Sequence, residues 1–184
     1  MIESVSLTDG KKQYRVPQLL VGGSRYVLFM FYPANFTFVC PTEIMELDGL
    51  VEQFLEVGCE TFAVSGDSSF CHWAWLSGPT TVGGLGGMVN NVTLLSDPDF
   101  QLANMFEAKK PEKNLMKRKT VIFDRKTSEV VYETTNPDDV GRNLEDTLRV
   151  LKSLIALKDN PEEFCPRRSL TPLRKEGFSF LEKA

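Results

Sequence analysis

The residue best suited to chemistry is Cys40, within the segment Phe31-Tyr-Pro-Ala-Asn-Phe-Thr-Phe-Val-Cys-Pro-Thr-Glu43. This segment joins a predicted central strand to a predicted helix, where open α/β sheets bind their ligands. Pro41 suits the first helical position, so we expect Cys40 at the helix N-cap or beside it. Unpaired backbone N–H groups and the positive end of the helix dipole stabilise a thiolate there, and the thiolate is the nucleophilic form of cysteine. The sequence therefore predicts a reactive sulfur at position 40.

The loop before Cys40 contains two residues whose side chains could assist its sulfur, Thr37 and Pro33. We expect the hydroxyl of Thr37 to lie near it, and Pro33 to shield it from water on the strand side. The alternative is that Cys40 is a small packed residue of the core, which is the commonest fate of a free cysteine. The kinked loop before it and the proline-started helix after it favour the reactive interpretation.

The composition is that of a globular protein with room for one domain. The chain has 184 residues, 42% hydrophobic and 25% charged, with a formal net charge of −4. This charge offers no general attraction for nucleic acid or an anionic membrane. His72 is the only histidine, which excludes sites that need two histidines, including most catalytic zinc centres. We expect neither a metal nor a bound cofactor.

The four cysteines, Cys40, Cys59, Cys71 and Cys165, are widely spaced and form no C-x-x-C pair. A thioredoxin-style redox pair and a paired-cysteine zinc knuckle are therefore not predicted. No N-terminal pattern of a secretory signal is visible, so the expected compartment is the cytoplasm, where thiols stay free.

Apolar strand patterns alternate with helical patterns along the chain. The run at 26–31 is apolar throughout, as in a central strand buried on both faces, and helical spacing follows from Pro41 to Gly58. Further predicted elements are strands at 61–65 and 92–95, helices at 69–76, 98–106 (capped by Asp97) and 140–158, and a hairpin of 120–123 with 129–134. This order predicts an α/β domain with a mixed sheet, helices on both faces and a thioredoxin-like arrangement.

The motif Pro33-x-x-x-Thr37-x-x-Cys40 resembles the peroxidatic motif of the peroxiredoxins. Its flanking residues are similar to the typical two-cysteine subgroup, which includes bacterial alkyl hydroperoxide reductase peroxidase subunits. The resemblance continues in family order through Phe70-Cys-His-Trp-Ala-Trp75, Gly83-Gly-Leu-Gly86, Leu95-Ser-Asp97, Gly141-Arg-Asn-Leu-Glu-Asp-Thr-Leu-Arg149 and Phe164-Cys-Pro166. It implies a thioredoxin-like domain over 1–159 and a C-terminal tail over 160–184.

The resemblance implies roles for the residues of the motif. Cys40 resembles the peroxidatic cysteine, which takes an oxygen from the peroxide and becomes a sulfenic acid. Thr37 resembles the residue that hydrogen-bonds the peroxide and the sulfur, and Pro33 resembles the shielding residue.

Three further residues match supporting positions of the family. Arg118 resembles the catalytic arginine, whose fixed charge would stabilise the thiolate and the departing oxygen. Because Lys117 and Lys119 flank it, a shifted alignment would move this role to a neighbour. Glu43 and Arg149 match positions of a hydrogen-bonded network behind the active site, although Glu43 is also simply an acid favoured in a first helical turn.

Cys165 lies in a proline-flanked tail and resembles the resolving cysteine of the family. A thiol there would attack the sulfenic acid and form a disulfide. In the two-cysteine subgroup this disulfide joins two subunits, so the resemblance implies a homodimer, and a decameric ring of five such dimers. The alternative is an exposed tail thiol without a role.

The resemblance implies a peroxidase that reduces hydrogen peroxide and organic hydroperoxides and is recycled by a thioredoxin-like or flavoprotein-linked dithiol reductant. The same cysteines would serve a ring-forming holdase or a redox relay, so this non-enzymatic alternative stays open. Packing is the simpler interpretation of Cys59, Cys71 and His72.

Overall fold

The computed structural model of the chain describes residues 1–6 and 10–158, and the backbone of 159, 163–164 and 173–174. The chain divides into two compact units, Met1–Arg142 and Asn143–Ala184. Of the predicted site residues, Pro33, Thr37, Cys40, Glu43 and Arg118 lie in the first unit, and Arg149 lies in the second. The predicted boundary after residue 159 stays a prediction.

A seven-stranded mixed sheet forms the centre of the first unit. Its strands in chain order are β1 (Ile2–Ser6), β2 (Gly10–Tyr14), β3 (Tyr26–Phe31), β4 (Cys59–Ser65), β5 (Thr93–Ser96), β6 (Arg118–Asp124) and β7 (Glu129–Asn136). In space the order is β2-β1-β5-β4-β3-β6-β7. The parallel pairs are β3 with β4 and β4 with β5, while β3 and β6 run antiparallel.

The helices of the first unit connect these strands. They are α1 (Val16–Val21), α2 (Cys40–Glu56), α3 (Ser69–Ser77) and α4 (Gln101–Met105), with a 3₁₀ turn at Thr80–Val82. The structure confirms the expected strands, the hairpin, the helix after Pro41 and the short helix at 69–76. Their ends differ from the predicted ends by no more than about two residues.

The central strand β3 is buried at every residue, as its unbroken apolar sequence predicts. On one side of the sheet Phe29 packs against Phe62 and Phe106, with ring centroids 6.0 and 5.5 Å apart. Phe31, the last residue of β3, pairs with Lys119 of β6. This register brings the start of β6 beside the end of β3, where α2 begins.

α2 buries an apolar stripe and packs against β4. Ile44, Leu47 and Phe54 on this stripe are fully buried, and the helix ends two residues before Gly58, whose φ is +70°. The positive φ suits glycine, which lacks the Cβ that disfavours this conformation in other residues.

Two helices begin later than their sequence patterns predict. Phe100 adopts a left-handed conformation with φ of 55°, so α4 starts at Gln101 rather than at residue 98. Asp97 still caps it, because its carboxylate accepts hydrogen bonds from the backbone N–H groups of Gln101 and Ala103 at 2.7 and 2.9 Å. The last helix starts at Leu144 because a turn closed by Val140 N–H and the Pro137 carbonyl (3.1 Å) precedes it.

The second unit consists of α5 (Leu144–Asp159) and the short strands β8 (Glu163–Phe164) and β9 (Leu173–Arg174), which pair antiparallel. The Asn143 side chain accepts a hydrogen bond from Asp146 N–H at 2.7 Å, which satisfies one of the free donors of the first turn. None of the helices in the described ranges combines the length and apolar character needed to cross a lipid bilayer.

Candidate active site

Cys40 is the first residue of α2 and is buried to all but 1% of its surface. Val39 occupies the N-cap position and Pro41 follows in the first turn. The sulfur therefore lies at the helix N-terminus, where backbone N–H groups without intrahelical partners favour negative charge.

Arg118 brings a guanidinium to this sulfur from the first residue of β6. Its two terminal nitrogens, Nη1 and Nη2, lie 3.7 and 3.8 Å from the Sγ of Cys40. Its Nε and Nη2 also donate to the main-chain carbonyl of Asp138 at 3.0 and 2.6 Å. The flanking lysines point elsewhere: Lys117 Nζ donates to a main-chain carbonyl at 2.9 Å, and Lys119 Nζ lies 3.0 Å from a carboxylate oxygen of β7.

Glu43, one turn along α2, joins this arginine to a second one. The Glu43 carboxylate accepts from Arg118 Nη1, and from Arg142 through its Nε at 2.9 Å and its Nη2 at 2.8 Å. Arg142 Nη1 in turn donates to the main-chain carbonyls of Phe31 and Lys119, at 2.8 and 3.0 Å. The network therefore ties α2 to the adjacent ends of β3 and β6.

Arg142 is not among the site residues predicted from the sequence. The signal was present, because Arg142 lies within the family-like segment that begins at Gly141 and directly precedes the Asn143 cap of α5. Arg149, the predicted partner of Glu43, has its described ion pair within the second unit, with Asp146 at 2.7 Å. Its predicted place in the network stays a prediction.

The charged side chains beside Cys40 are one carboxylate and two guanidiniums. Burial raises the pKa of the Glu43 carboxyl, but the hydrogen bonds and charge of Arg142 outweigh it and hold this pKa below its ordinary value. Glu43 is thus ionised between two arginines, which stay charged at any physiological pH. Two guanidiniums and one carboxylate leave one net positive charge in the buried group beside the Cys40 sulfur.

The other predicted residues, Pro33 and Thr37, lie in the loop before α2. Both line a cavity of about 200 Å³ together with Cys40 and Arg118. Thr37 is exposed, and its hydroxyl donates a hydrogen bond to the main-chain carbonyl of Ala34 at 3.1 Å. The structure therefore brings all four residues to the wall of one cavity.

A polar cluster beneath this loop fixes its start. Asn35 N–H donates to Asp67 at 2.8 Å, and the Asn35 amide nitrogen lies 3.0 Å from His72 Nδ1. The Tyr32 hydroxyl donates to the Asn35 side chain at 2.8 Å. Burial lowers the pKa of His72 to about 4, so the imidazole is neutral and serves packing rather than catalysis.

The remaining described thiols are held in their protonated form. Burial raises the pKa of Cys59 to about 12, and it also raises the pKa of Cys71. Cys165 lies outside the described residues. Over the ranges that are described, no group of three or more histidine, cysteine or carboxylate side chains could hold a metal ion.

The sequence profile of the AhpC/TSA family matches residues 2–132. The chain belongs to this family. It is 35% identical over 168 residues to the chloroplastic 2-Cys peroxiredoxin BAS1 of Arabidopsis thaliana, covering 86% of this chain and 62% of that relative's length. It is 37% identical over 160 residues to peroxiredoxin-1 of Gekko japonicus, covering 87% of this chain and 77% of the relative.

Among solved structures, the reduced 2-Cys peroxiredoxin of Plasmodium vivax superposes with a TM-score of 0.80 at 28% identity, over 96% of this chain and 86% of that one. This similarity confirms the expected thioredoxin-like fold. The range that matches the AhpC/TSA profile contains Pro33, Thr37, Cys40 and Arg118 and ends before Arg142. In this AhpC/TSA chain, the four residues around the cavity thus lie within the range that matches the family, and the second arginine lies beyond it.

Proposed function

We propose that this protein is a thiol-dependent peroxidase that reduces hydrogen peroxide and organic hydroperoxides. The observation that carries the proposal is the contact of both Arg118 terminal nitrogens with the Cys40 sulfur, at the wall of a cavity. The peroxiredoxin names of the relatives support the same class of activity.

In the first step, the Cys40 thiolate attacks the terminal oxygen of the hydroperoxide. An S–O bond forms as the O–O bond breaks, and its electron pair leaves on the second oxygen, which takes up a proton to become water or an alcohol. The sulfur is oxidised to sulfenic acid and the peroxide is reduced by two electrons. The Arg118 guanidinium stabilises the growing negative charge on the departing oxygen. Because its contacts already fix its position, the side chain needs little reorganisation during the reaction.

In the second step, Cys165 of the partner subunit attacks the sulfenic acid, a disulfide forms and water leaves. A thioredoxin-like or flavoprotein-linked dithiol then reduces the disulfide and becomes oxidised itself. The Phe164-Cys-Pro166 segment supports this step by its resemblance to the resolving motif. The proposal includes a homodimer and a decameric ring of such dimers.

The proposed compartment is the cytoplasm. Cys59 and Cys71 are free thiols, which fits a reducing environment.

The test compares two serine variants in a peroxide-consumption assay with a dithiol reductant. Cys40→Ser should reduce consumption to the rate of the reductant alone, because the hydroxyl is a far weaker nucleophile than a thiolate. Cys71→Ser is the matched control, since its hydroxyl can take over the contacts of the thiol with Asp67 and Asn35. Peroxide consumption that survives Cys40→Ser would refute the proposal.

A further inference from the structure

Two cavities of the first unit share one ion pair. The Cys40 cavity, of about 200 Å³, and a second cavity of about 330 Å³ are both lined by Lys110 and Asp138. The Nζ of Lys110 lies 2.5 Å from Oδ2 of Asp138. The paired side chains therefore form a wall common to the reaction cavity and its neighbour.

The main chain around Lys110 is held by contacts with the residues just before β6. Lys110 N–H donates to the carbonyl of Leu115 at 3.0 Å, and Lys109 forms an isolated β-bridge with Met116, so the intervening loop has a fixed base. The Lys110 side chain is only 18% exposed. A pair with one shielded partner is weakened less by water and salt than a pair at the open surface.

Asp138 lies in the turn that ends with Val140, and its side chain and main chain contact two different residues. Its carboxylate pairs with Lys110, whereas its main-chain carbonyl accepts from Arg118. The side-chain contact can therefore change while the arginine keeps its main-chain acceptor.

The second cavity has the size and surface for an organic group. Its volume lies within the ~300–1,000 Å³ of small-molecule pockets. Pro111 and the aliphatic stems of its lysines offer apolar surface. Lys110 and Lys113 are balanced by Glu112 and Asp138, so the lining carries no net charge. An uncharged substituent suits this lining better than an anionic one.

We propose that the second cavity receives the organic substituent of a bulky, neutral hydroperoxide, and that the Lys110–Asp138 pair restricts its entry. This inference rests on the proposed peroxidase function and names the residues that set its substrate preference. Hydrogen peroxide is small enough to enter the Cys40 cavity while the pair at its wall stays closed. A bulky hydroperoxide reaches Cys40 with its substituent directed at the pair, and the pair must open to admit it.

The test measures kcat/KM for cumene hydroperoxide and for hydrogen peroxide, and compares the ratio of the two among variants. Lys110→Ala removes the wall and should raise this ratio by about tenfold, the scale on which apolar pockets discriminate substrates by size. Lys110→Arg keeps the ion pair and should leave the ratio at the wild-type value. Lys113→Trp fills the second cavity and, combined with Lys110→Ala, should cancel the increase.

An exposed lysine far from both cavities, Lys126, provides the matched control, and Lys126→Ala should leave the ratio unchanged. A ratio that stays the same or falls in Lys110→Ala would overturn the inference. Wild-type protein that consumes neither peroxide would instead refute the peroxidase function itself, so the two failures are distinguishable.

Discussion

Both terminal nitrogens of Arg118 face the Sγ atom of Cys40, at 3.7 and 3.8 Å. The same guanidinium donates to the Glu43 carboxylate and, twice, to the Asp138 carbonyl. These contacts use its planar fork in three directions, so its position over the sulfur is fixed before a peroxide arrives.

This relationship predicts that charge alone cannot replace Arg118. Arg118→Lys keeps the charge but provides only one nitrogen for three acceptors, so kcat/KM for hydrogen peroxide should fall by about 10²–10³-fold. Stopped-flow peroxide reduction measures this loss. The control is Lys117→Met, because the Lys117 ammonium donates to the Glu107 carbonyl instead. Near wild-type kcat/KM in Arg118→Lys would show that the guanidinium geometry is unimportant.

Glu43 is the one carboxylate between two buried arginines, and its loss should reduce stability. Glu43→Gln leaves Arg118 and Arg142 without their anion, which should lower the free energy of unfolding by about 3–5 kcal/mol. Urea denaturation at neutral pH measures the change. Glu52→Gln is an exposed control on the same helix and should stay within about 0.5 kcal/mol of wild type. Equal effects of the two substitutions would contradict the structural role of the network.

The second cysteine can be tested through covalent dimers. After brief exposure to peroxide, a non-reducing gel should show a disulfide-linked dimer for the wild type and none for Cys165→Ser, because the partner thiol is missing. Cys59→Ser should still form the dimer. If Cys165→Ser gave the same dimer, another cysteine would be the resolving one.

His72 should make the fold sensitive to mild acid. Its pKa is about 4 in the folded protein and about 6.5 in an unfolded chain, so the unfolded state binds more protons as the pH falls through this window. The contribution of neutral His72 to the free energy of unfolding is therefore complete above pH ~6.5. Protonation of His72 in the unfolded state should lower the free energy of unfolding by roughly 2 kcal/mol at pH 5. His72→Gln should lose less stability than the wild type between pH 7.5 and 5, as measured by urea denaturation. Parallel losses in both proteins would exclude His72 as the source.

The strongly patterned elements could be predicted from the sequence. The apolar run of β3 and the helical spacing of α2 each carry a local signal that packing reinforces. The first three elements, β1, β2 and α1, lack such a signal. β2 is a polar edge strand, Gly-Lys-Lys-Gln-Tyr, whose extended form depends on pairing with β1 across five residue pairs. Pairing of a polar strand with its neighbour depends on contacts across the sheet, and these are not visible in single-residue patterns.

The residues of the candidate site likewise include some that a local sequence pattern predicts and others that depend on contacts between distant segments. Pro33, Thr37 and Cys40 lie within eight residues, so their proximity is a local property of one loop. Arg118 reaches the sulfur only through the register of β3 against β6. Arg142 reaches Glu43 because the chain turns back after β7, which no periodicity indicates. Only the ordered resemblance covered this segment, and the residue that it matched to the network was Arg149, whose role stays a prediction.

Arg118 contacts the main-chain carbonyl of Asp138, whereas the Asp138 side chain pairs with Lys110. The position of the arginine and the ion pair at the cavity wall therefore depend on different atoms of one residue. Every amino acid has a main-chain carbonyl, so the arginine keeps this acceptor whichever residue occupies position 138. Under the proposed role of the Lys110–Asp138 pair, a substitution at position 138 would change which peroxides enter while Arg118 keeps its main-chain acceptor.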